Sequence, residues 1–160
     1  EIKRLEGEEV DKIYSQITTL DQITRGFRKG QLNIISGVTG EGKTSFCQTL
    51  TENFVADGRS CLWFTFEVPL IEFVEKFSQV PIFYVPRKLR ESNLEWLVFR
   101  MRESLVKYNS EIIFIDHLHF LLDFEMLSRS NNTSILIGVI LREKWIVHMN
   151  GTMKYANLEK

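Results

Sequence analysis

Gly37-Val38-Thr39-Gly40-Glu41-Gly42-Lys43-Thr44 is the stretch of this chain that decides its fold. It has the form G-x-x-x-x-G-K-[ST], the pattern of a phosphate-binding loop. Glycines let the backbone curl so that successive N–H groups face one anion, and a following helix adds the positive end of its dipole. Lys43 is placed to reach the β- and γ-phosphates of a nucleotide, and the Thr44 hydroxyl to ligate Mg²⁺.

The residues around the loop support this interpretation. Gln31 to Ser36 is apolar and β-branched, as a strand would be, and the next apolar residues, Phe46, Leu50 and Phe54, follow at helical spacing. The alternative is a glycine-rich turn with an accidental lysine. The strand–loop–helix context favours nucleotide binding. We expect the nucleotide to contact Gly37, Val38, Thr39, Gly40, Glu41, Gly42, Lys43, Thr44 and Ser45.

Composition sets further bounds. The chain has 160 residues, 44% of them hydrophobic, which predicts one globular domain. A net charge of −1 gives no global field toward nucleic acid, although a local patch would suffice for contact. Cys47 and Cys61 are expected to be buried free thiols on a helix and a strand in a reducing cytoplasm, bacterial or phage-like. The charged N-terminus does not resemble a secretory signal, and no apolar run approaches the length of a membrane span.

The first residues, 1–15, are polar and weakly patterned, and we expect a linker or arm there. Residues 16–160 are expected to form one domain. Thr18 or Thr19 can cap a short helix that ends at Gly26.

A second strand is predicted from Ser60 to Phe66, where a continuous apolar run suits a buried parallel strand. Glu67 follows at its carboxyl end, the edge where α/β sheets bind ligands. It is our candidate for the carboxylate that polarises a water beside a γ-phosphate, and the alternative is a helix-start charge. Pro69 is expected to open a helix that extends to about Phe77.

Two further elements precede the next informative stretch. Val80 to Pro86 predicts a short strand at a sheet edge. The basic cluster after it, Arg87, Lys88 and Arg90, fits a solvated loop, with phosphate or subunit contact as the alternative. Ser92 to Glu95 is a capping box, and the helix that it opens carries one apolar stripe: Leu94, Leu97, Val98, Met101 and Leu105.

Glu111 to Leu121 contains an apolar strand that delivers Asp116 at its end. This is the Walker B arrangement, in which the strand lies beside the P-loop strand and Asp116 holds the Mg²⁺ shell opposite Thr44. His119 is a candidate sensor of the γ-phosphate, and a structural histidine is the alternative for both His117 and His119.

The C-terminal part is less clearly patterned. Asp123 to Asn132 is polar and predicts a loop. Thr133 to Arg142 has apolar residues at helical spacing, which favours a helix. Trp145 to His148 is compatible with one more strand, Asn150-Gly151 is a turn signal, and the remainder to Lys160 has no clear pattern.

These stretches, taken in order, resemble the C-terminal ATPase domain of DnaB-type replicative helicases, which are hexameric RecA-like motors. The resemblance covers roughly residues 16–143. The stretches that carry it are Ile17 to Phe27, Lys29 to Leu32, Gly37 to Thr44, Phe64 to Pro69, Pro81 to Tyr84 and Ile115 to Leu121.

The resemblance implies a RecA-like P-loop NTPase of the α/β class, with a mostly parallel twisted sheet flanked by helices. It implies ATP and Mg²⁺ as cofactors, single-stranded DNA and other copies of the chain as partners, no membrane, and movement along DNA driven by hydrolysis. Glu67 and Lys43 would be the catalytic residues, with Thr44 and Asp116 at the metal and His119 where the family often has glutamine.

The chain departs from the family beyond residue 143, because neither an arginine finger nor the DNA-binding loops can be placed. Arg129 and Arg142 match no finger motif. Two other functions therefore stay open: a regulatory or recombinase-type RecA-like ATPase, and a domain or fragment that binds nucleotide without catalysis.

Overall fold

The computed structural model describes residues 12–66, 68–86, 94–116, 133–140, 144–149 and 152–157. Helices and strands alternate over most of this length, as an α/β protein requires. In chain order the elements are β1 (Lys12–Ile13), α1 (Thr18–Thr24), β2 (Phe27–Arg28), β3 (Leu32–Val38), α2 (Lys43–Ala56), β4 (Cys61–Thr65), α3 (Leu70–Glu75), α4 (Leu94–Tyr108), β5 (Ile112–Asp116), β6 (Thr133–Ile140), β7 (Lys144–Met149) and β8 (Thr152–Asn157).

The central sheet has four strands in the order β3-β6-β5-β4. Strand β4 pairs in parallel with β5, whereas β6 runs antiparallel to both of its neighbours. Because β6 runs antiparallel to both β3 and β5, and β4 is parallel to β5, the strands β3, β4 and β5 all run in one direction. Their carboxyl ends therefore lie at the same end of the sheet. The prediction of a mostly parallel sheet is therefore wrong for this described sheet. The prediction that β5 adjoins the P-loop strand is also wrong, because β6 lies between them.

Strand β6 replaces the helix that was predicted from residue 133. Its residues are apolar almost throughout, so the helical spacing noted in the sequence is only a subset of a continuous run. The strand is eight residues long and rich in β-branched residues, and the apolar run from Ile135 to Ile140 within it suits a strand that is hydrogen-bonded on both sides. Leu32 to Val38 pairs with it on one side and Ile112 to Asp116 on the other.

The hydrophobic core lies between the sheet and α2. It is built around Trp63, which stacks on Phe114 with 4.7 Å between ring centroids and contacts Phe73 at the same separation. Alternate residues of β4 and β5 face the other side of the sheet, where Phe64 meets Trp96 of α4 edge-on. Leu97 and Met101 of the predicted stripe are buried on this side. Helices therefore cover both faces of the β4–β5 pair.

The N-terminal segment is tied to the core. Strand β1 pairs antiparallel with β2, and Ile13 is fully buried. Helix α1 is confirmed, but its N-cap is Ile17 and not a threonine. The Asp21 carboxylate accepts hydrogen bonds from the Ser15 backbone N–H and hydroxyl, both at 2.7 Å, so the chain entering the helix is held from within its first turn.

The remaining described features are an isolated β-bridge and a hairpin. Tyr84 forms a single parallel bridge to Leu62 of β4, the strand at one edge of the sheet. This bridge is shorter than the strand that was predicted over residues 80–86. Strand β7 confirms the strand predicted at Trp145, and it forms a hairpin with β8 that the sequence did not indicate. The turn expected at residues 150–151 and the basic cluster at 87–90 lie outside the described residues.

Candidate nucleotide-binding site

The glycine-rich loop connects β3 to α2 at the carboxyl edge of the sheet. Gly40 has a φ of +87° and Gly42, the N-cap of α2, a φ of +82°. Residues with a Cβ rarely adopt this left-handed conformation. A Cβ at either glycine would meet nothing within 4 Å, so the backbone conformation and not crowding requires glycine here.

Lys43 begins α2 and turns back over the loop. Its Nζ donates hydrogen bonds to the carbonyl oxygens of Gly37, at 3.0 Å, and of Val38, at 2.8 Å. The ammonium group is thereby held at the start of the helix, where the backbone N–H groups of the first turn have no partner within the helix. Positive charge and free donors meet at this point, which is the arrangement that binds a polyphosphate.

Thr44 and Asp116 meet although 72 residues separate them. The Thr44 hydroxyl donates a hydrogen bond of 3.0 Å to Oδ2 of Asp116. Asp116 is 4% exposed at the end of β5. A hydroxyl and a carboxylate are the kind of oxygen ligands that Mg²⁺ takes together with water and substrate phosphates. Within the described residues, no group of three or more His, Cys, Asp or Glu side chains that could hold a metal ion occurs.

Cys47 lies one turn further along α2, on the buried side. Burial raises the pKa of its thiol far above the ordinary value, and the Asp116 carboxylate raises it further. The thiol therefore stays neutral beside the carboxylate. Burial also raises the pKa of Cys61, with Glu111 as the second cause. Both cysteines are free and buried, as predicted.

Glu67, His117 and His119 lie outside the described residues. Their neighbours, however, are placed. Thr65 ends β4 at the level of Asp116 in β5, and its hydroxyl donates to the carbonyl of Val68 at 3.1 Å. In the sequence, Glu67 follows Thr65 by two residues.

One polar residue of α2 was missed in the sequence. Gln48 is 2% exposed, and its Nε2 donates to the carbonyl oxygen of Phe73 at 2.7 Å. A glutamine at helical spacing from Thr44, among residues of the buried face of α2, was the signal that could have revealed it.

A cavity of about 200 Å³ lies elsewhere, beside β3 and behind α2. Its walls are almost entirely apolar and include Ile35, Phe46, Leu50 and Phe54. None of its lining residues is Lys43, Thr44 or Asp116, so it does not belong to the phosphate site.

Comparison with known proteins finds helicase sequences similar to part of this chain. Residues 12–80 match the model of the DnaB-like helicase C-terminal domain. The resemblance predicted from the sequence is confirmed over that segment, which holds the whole glycine-rich loop. The chain is also 30% identical over 101 residues to a probable replicative DNA helicase of Trieres chinensis.

The alignment with the Trieres chinensis helicase covers 61% of this chain and 22% of the relative, so the chain spans about a fifth of the length of the protein it matches. No solved structure matches the chain. Among the described residues, no helix is both long and apolar enough to cross a membrane. The match over residues 12–80 supports a likeness to the DnaB-like helicase C-terminal domain for the segment that contains the loop.

Proposed function

We propose that this chain binds ATP with Mg²⁺ at the glycine-rich loop and serves as ATPase unit in a DnaB-like replicative helicase. The observation that carries the proposal is the 3.0 Å hydrogen bond between Thr44 and Asp116. It brings together the hydroxyl of the loop and the carboxylate at the end of β5, the two protein groups that hold the metal in P-loop NTPases.

The roles of the residues follow from their positions. The loop amides and Lys43 bind the β- and γ-phosphates and stabilise the charge that develops on the phosphoryl oxygens. Mg²⁺, held through Thr44 and Asp116, would add positive charge at the same oxygens. Glu67, which follows the last residue of β4 by two positions in the sequence, accepts a proton from the water that attacks the γ-phosphorus in line with its bond to the leaving ADP oxygen. His119 is the proposed sensor of the γ-phosphate.

Single-stranded DNA and other copies of the chain, in a ring, are the proposed partners. The overall charge of −1 provides no general attraction to DNA, so contact must be local. Among the described residues, the candidate for this DNA contact is a small basic cluster of Arg25, Arg28 and Lys29. It is too small to define a path for the strand, and it supports DNA contact only weakly.

The metal-binding role of Asp116 is tested with Asp116→Asn. We expect the Mg²⁺-dependent part of the affinity for a fluorescent ATP analogue to fall roughly 10- to 100-fold, because the amide carries no charge for the ion. Asp57→Asn, at the opposite end of α2, is the matched control and should bind like the unaltered chain. Equal affinities for the two variants would exclude Asp116 from the metal shell.

The catalytic roles are tested by turnover. Lys43→Ala should lose tight ATP binding or hydrolysis, whereas Glu67→Gln should retain binding and lose turnover. Two exposed residues of the α3 region, Lys76 and Glu72, provide controls as Lys76→Ala and Glu72→Gln. Unchanged turnover in Glu67→Gln would remove Glu67 from the mechanism.

Two rival functions predict different responses. A helicase unit should hydrolyse ATP faster with single-stranded DNA, and this stimulation should fade as salt rises. A RecA-like regulator would be indifferent to DNA. A domain that only binds nucleotide would remain monomeric with Mg-ATP and show no turnover, because a monomer cannot supply an arginine finger to a neighbouring site.

A further inference from the structure

Gln48 is a buried amide on the helix that begins with the phosphate-binding residues. It lies one turn after Thr44 and is 2% exposed. Its Nε2 donates to the carbonyl oxygen of Phe73, at 2.7 Å, in α3. Phe73 itself is fully buried and contacts Trp63 of the core. The contact therefore joins α2 to α3 through a rigid part of the molecule.

The Phe73 carbonyl belongs to the last turn of α3, where carbonyl groups lack partners within the helix. The Phe77 N–H, four residues on, bonds to Val74 instead, at 3.2 Å. Gln48 thus supplies a donor that the helix does not. One turn further along α2, Glu52 accepts hydrogen bonds from the Ser78 N–H and hydroxyl just beyond α3. Side chains from two successive turns of α2 are therefore hydrogen-bonded to α3 and to the segment that follows it.

The amide carries a cost. Its Oε1 atom is buried and has no hydrogen-bond partner among the described residues. A methionine would fill a similar volume and remove this unpaired acceptor, but it would leave the Phe73 carbonyl without its donor, so the glutamine satisfies one buried group while leaving another unpaired. Polar groups that break the packing rules in this way are concentrated at functional sites.

We propose that Gln48 is a positioning residue that couples the phosphate-binding helix to the connection between β4 and α3, the segment of the sequence that contains Glu67. This rests on the proposed function. Lys43 and Thr44 occupy the first turn of the same helix, so a shift of α2 on phosphate binding moves the Phe73 carbonyl with it. Helix α3 begins at Leu70, directly after the connection, and transmits the shift to it.

Hydrogen–deuterium exchange tests the coupling without requiring turnover. In the unaltered chain, Mg-ATP should slow exchange at residues 37–45 and at residues 66–77. In Gln48→Met the protection at 37–45 should persist, while that at 66–77 should be lost. Thr49→Val, on the exposed side of the same helix, should behave like the unaltered chain. Thermal denaturation should show that Gln48→Met still unfolds cooperatively, within a few degrees of its parent, because the loss of the donor to Phe73 and the removal of the unpaired Oε1 act in opposite directions.

Catalysis supplies a second readout. Because misplacing a catalytic group costs up to about 100-fold in rate, kcat for Gln48→Met should fall roughly 10- to 100-fold with KM little changed. If Gln48→Met does not fold, Gln48→Asn repeats the test, since its amide is one methylene shorter and cannot span the 2.7 Å contact.

Three outcomes would overturn the coupling. One is protection at 66–77 that survives in the Gln48 variants. Another is that, in the unaltered chain, Mg-ATP slows hydrogen–deuterium exchange at residues 37–45 but not at residues 66–77. In both cases the nucleotide site stands and the coupling fails. No protection at 37–45 would instead overturn the proposed function, and the coupling with it.

Discussion

Replacing Thr51 with valine should destabilise the protein because it removes one buried hydrogen-bond acceptor, the Thr51 hydroxyl. The Thr51 hydroxyl accepts a 2.9 Å hydrogen bond from Nε1 of Trp63 and donates to the Cys47 carbonyl at 2.8 Å. Thr51 and Trp63 are both fully buried. Valine preserves the shape but leaves the indole N–H unpaired in the core, where water cannot replace the lost partner.

The magnitude follows from that burial. An unpaired buried donor costs about 1–3 kcal/mol, and exchanging the hydroxyl for a methyl group returns up to about 1 kcal/mol. We therefore expect Thr51→Val to lower the free energy of unfolding by about 1–2 kcal/mol. For a domain of this size that corresponds to a fall in Tm of about 3–6 °C.

Urea denaturation followed by far-ultraviolet circular dichroism measures the change. Thr49→Val is the matched control, since Thr49 is exposed on the same helix and its replacement should cost less than about 0.5 kcal/mol. A second test adds Trp63→Phe, which removes the N–H, so that Thr51→Val should cost less in that background. Equal losses for the two threonine variants, or no coupling to Trp63, would refute the reasoning.

Three other predictions concern acid stability, the thiols and the loop. Hydrogen bonds from Ser78 lower the pKa of Glu52, so its stabilising contribution is complete above the ordinary value of 4.5 and is lost as the pH falls through the lowered value. The stability difference between the parent and Glu52→Gln, from urea denaturation, should accordingly shrink on acidification, and a difference independent of pH would contradict this. Because burial raises the pKa of both cysteine thiols, a thiol reagent at mildly alkaline pH should label the native protein slowly and the denatured protein fast, whereas rapid labelling of the native form would show an exposed thiolate. Gly42→Ala and Gly58→Ala should each cost about 1–2 kcal/mol in thermal denaturation, because both glycines have positive φ. Nucleotide affinity should fall only in Gly42→Ala. An equal fall in both variants would show that nucleotide binding does not depend specifically on the backbone conformation of the loop.

The sequence revealed the parts of the fold that depend on local pattern. The glycine spacing before Lys43, the apolar runs of β4 and β5, and the stripe on α4 each correspond to an element in the structure. Asp116 was also picked out by its position after an apolar run, and the structure brings it to Thr44. These features could be predicted because the periodicity of a strand or a helix appears in the spacing of apolar residues that are close in sequence.

What the sequence did not reveal depends on contacts between distant residues. The run from Thr133 to Ile140 fits either periodicity, and its pairing with β3 and β5 decides for a strand. The bond from Gln48 to Phe73 links residues 25 apart, and no local pattern marks the amide as a link between helices. Cap residues were also ambiguous, because two threonines were available and the chain used Ile17.

The placement of β6 has a consequence for the order in which the protein folds. Among the described strands, β3 is hydrogen-bonded to the sheet only through β6, which lies roughly 100 residues later in the chain. The pair β4–β5 and the helices around it can assemble earlier, since their contacts span shorter loops. The phosphate-binding loop, at the end of β3, should therefore gain its final geometry late. In refolding experiments, recovery of secondary structure should precede recovery of nucleotide affinity.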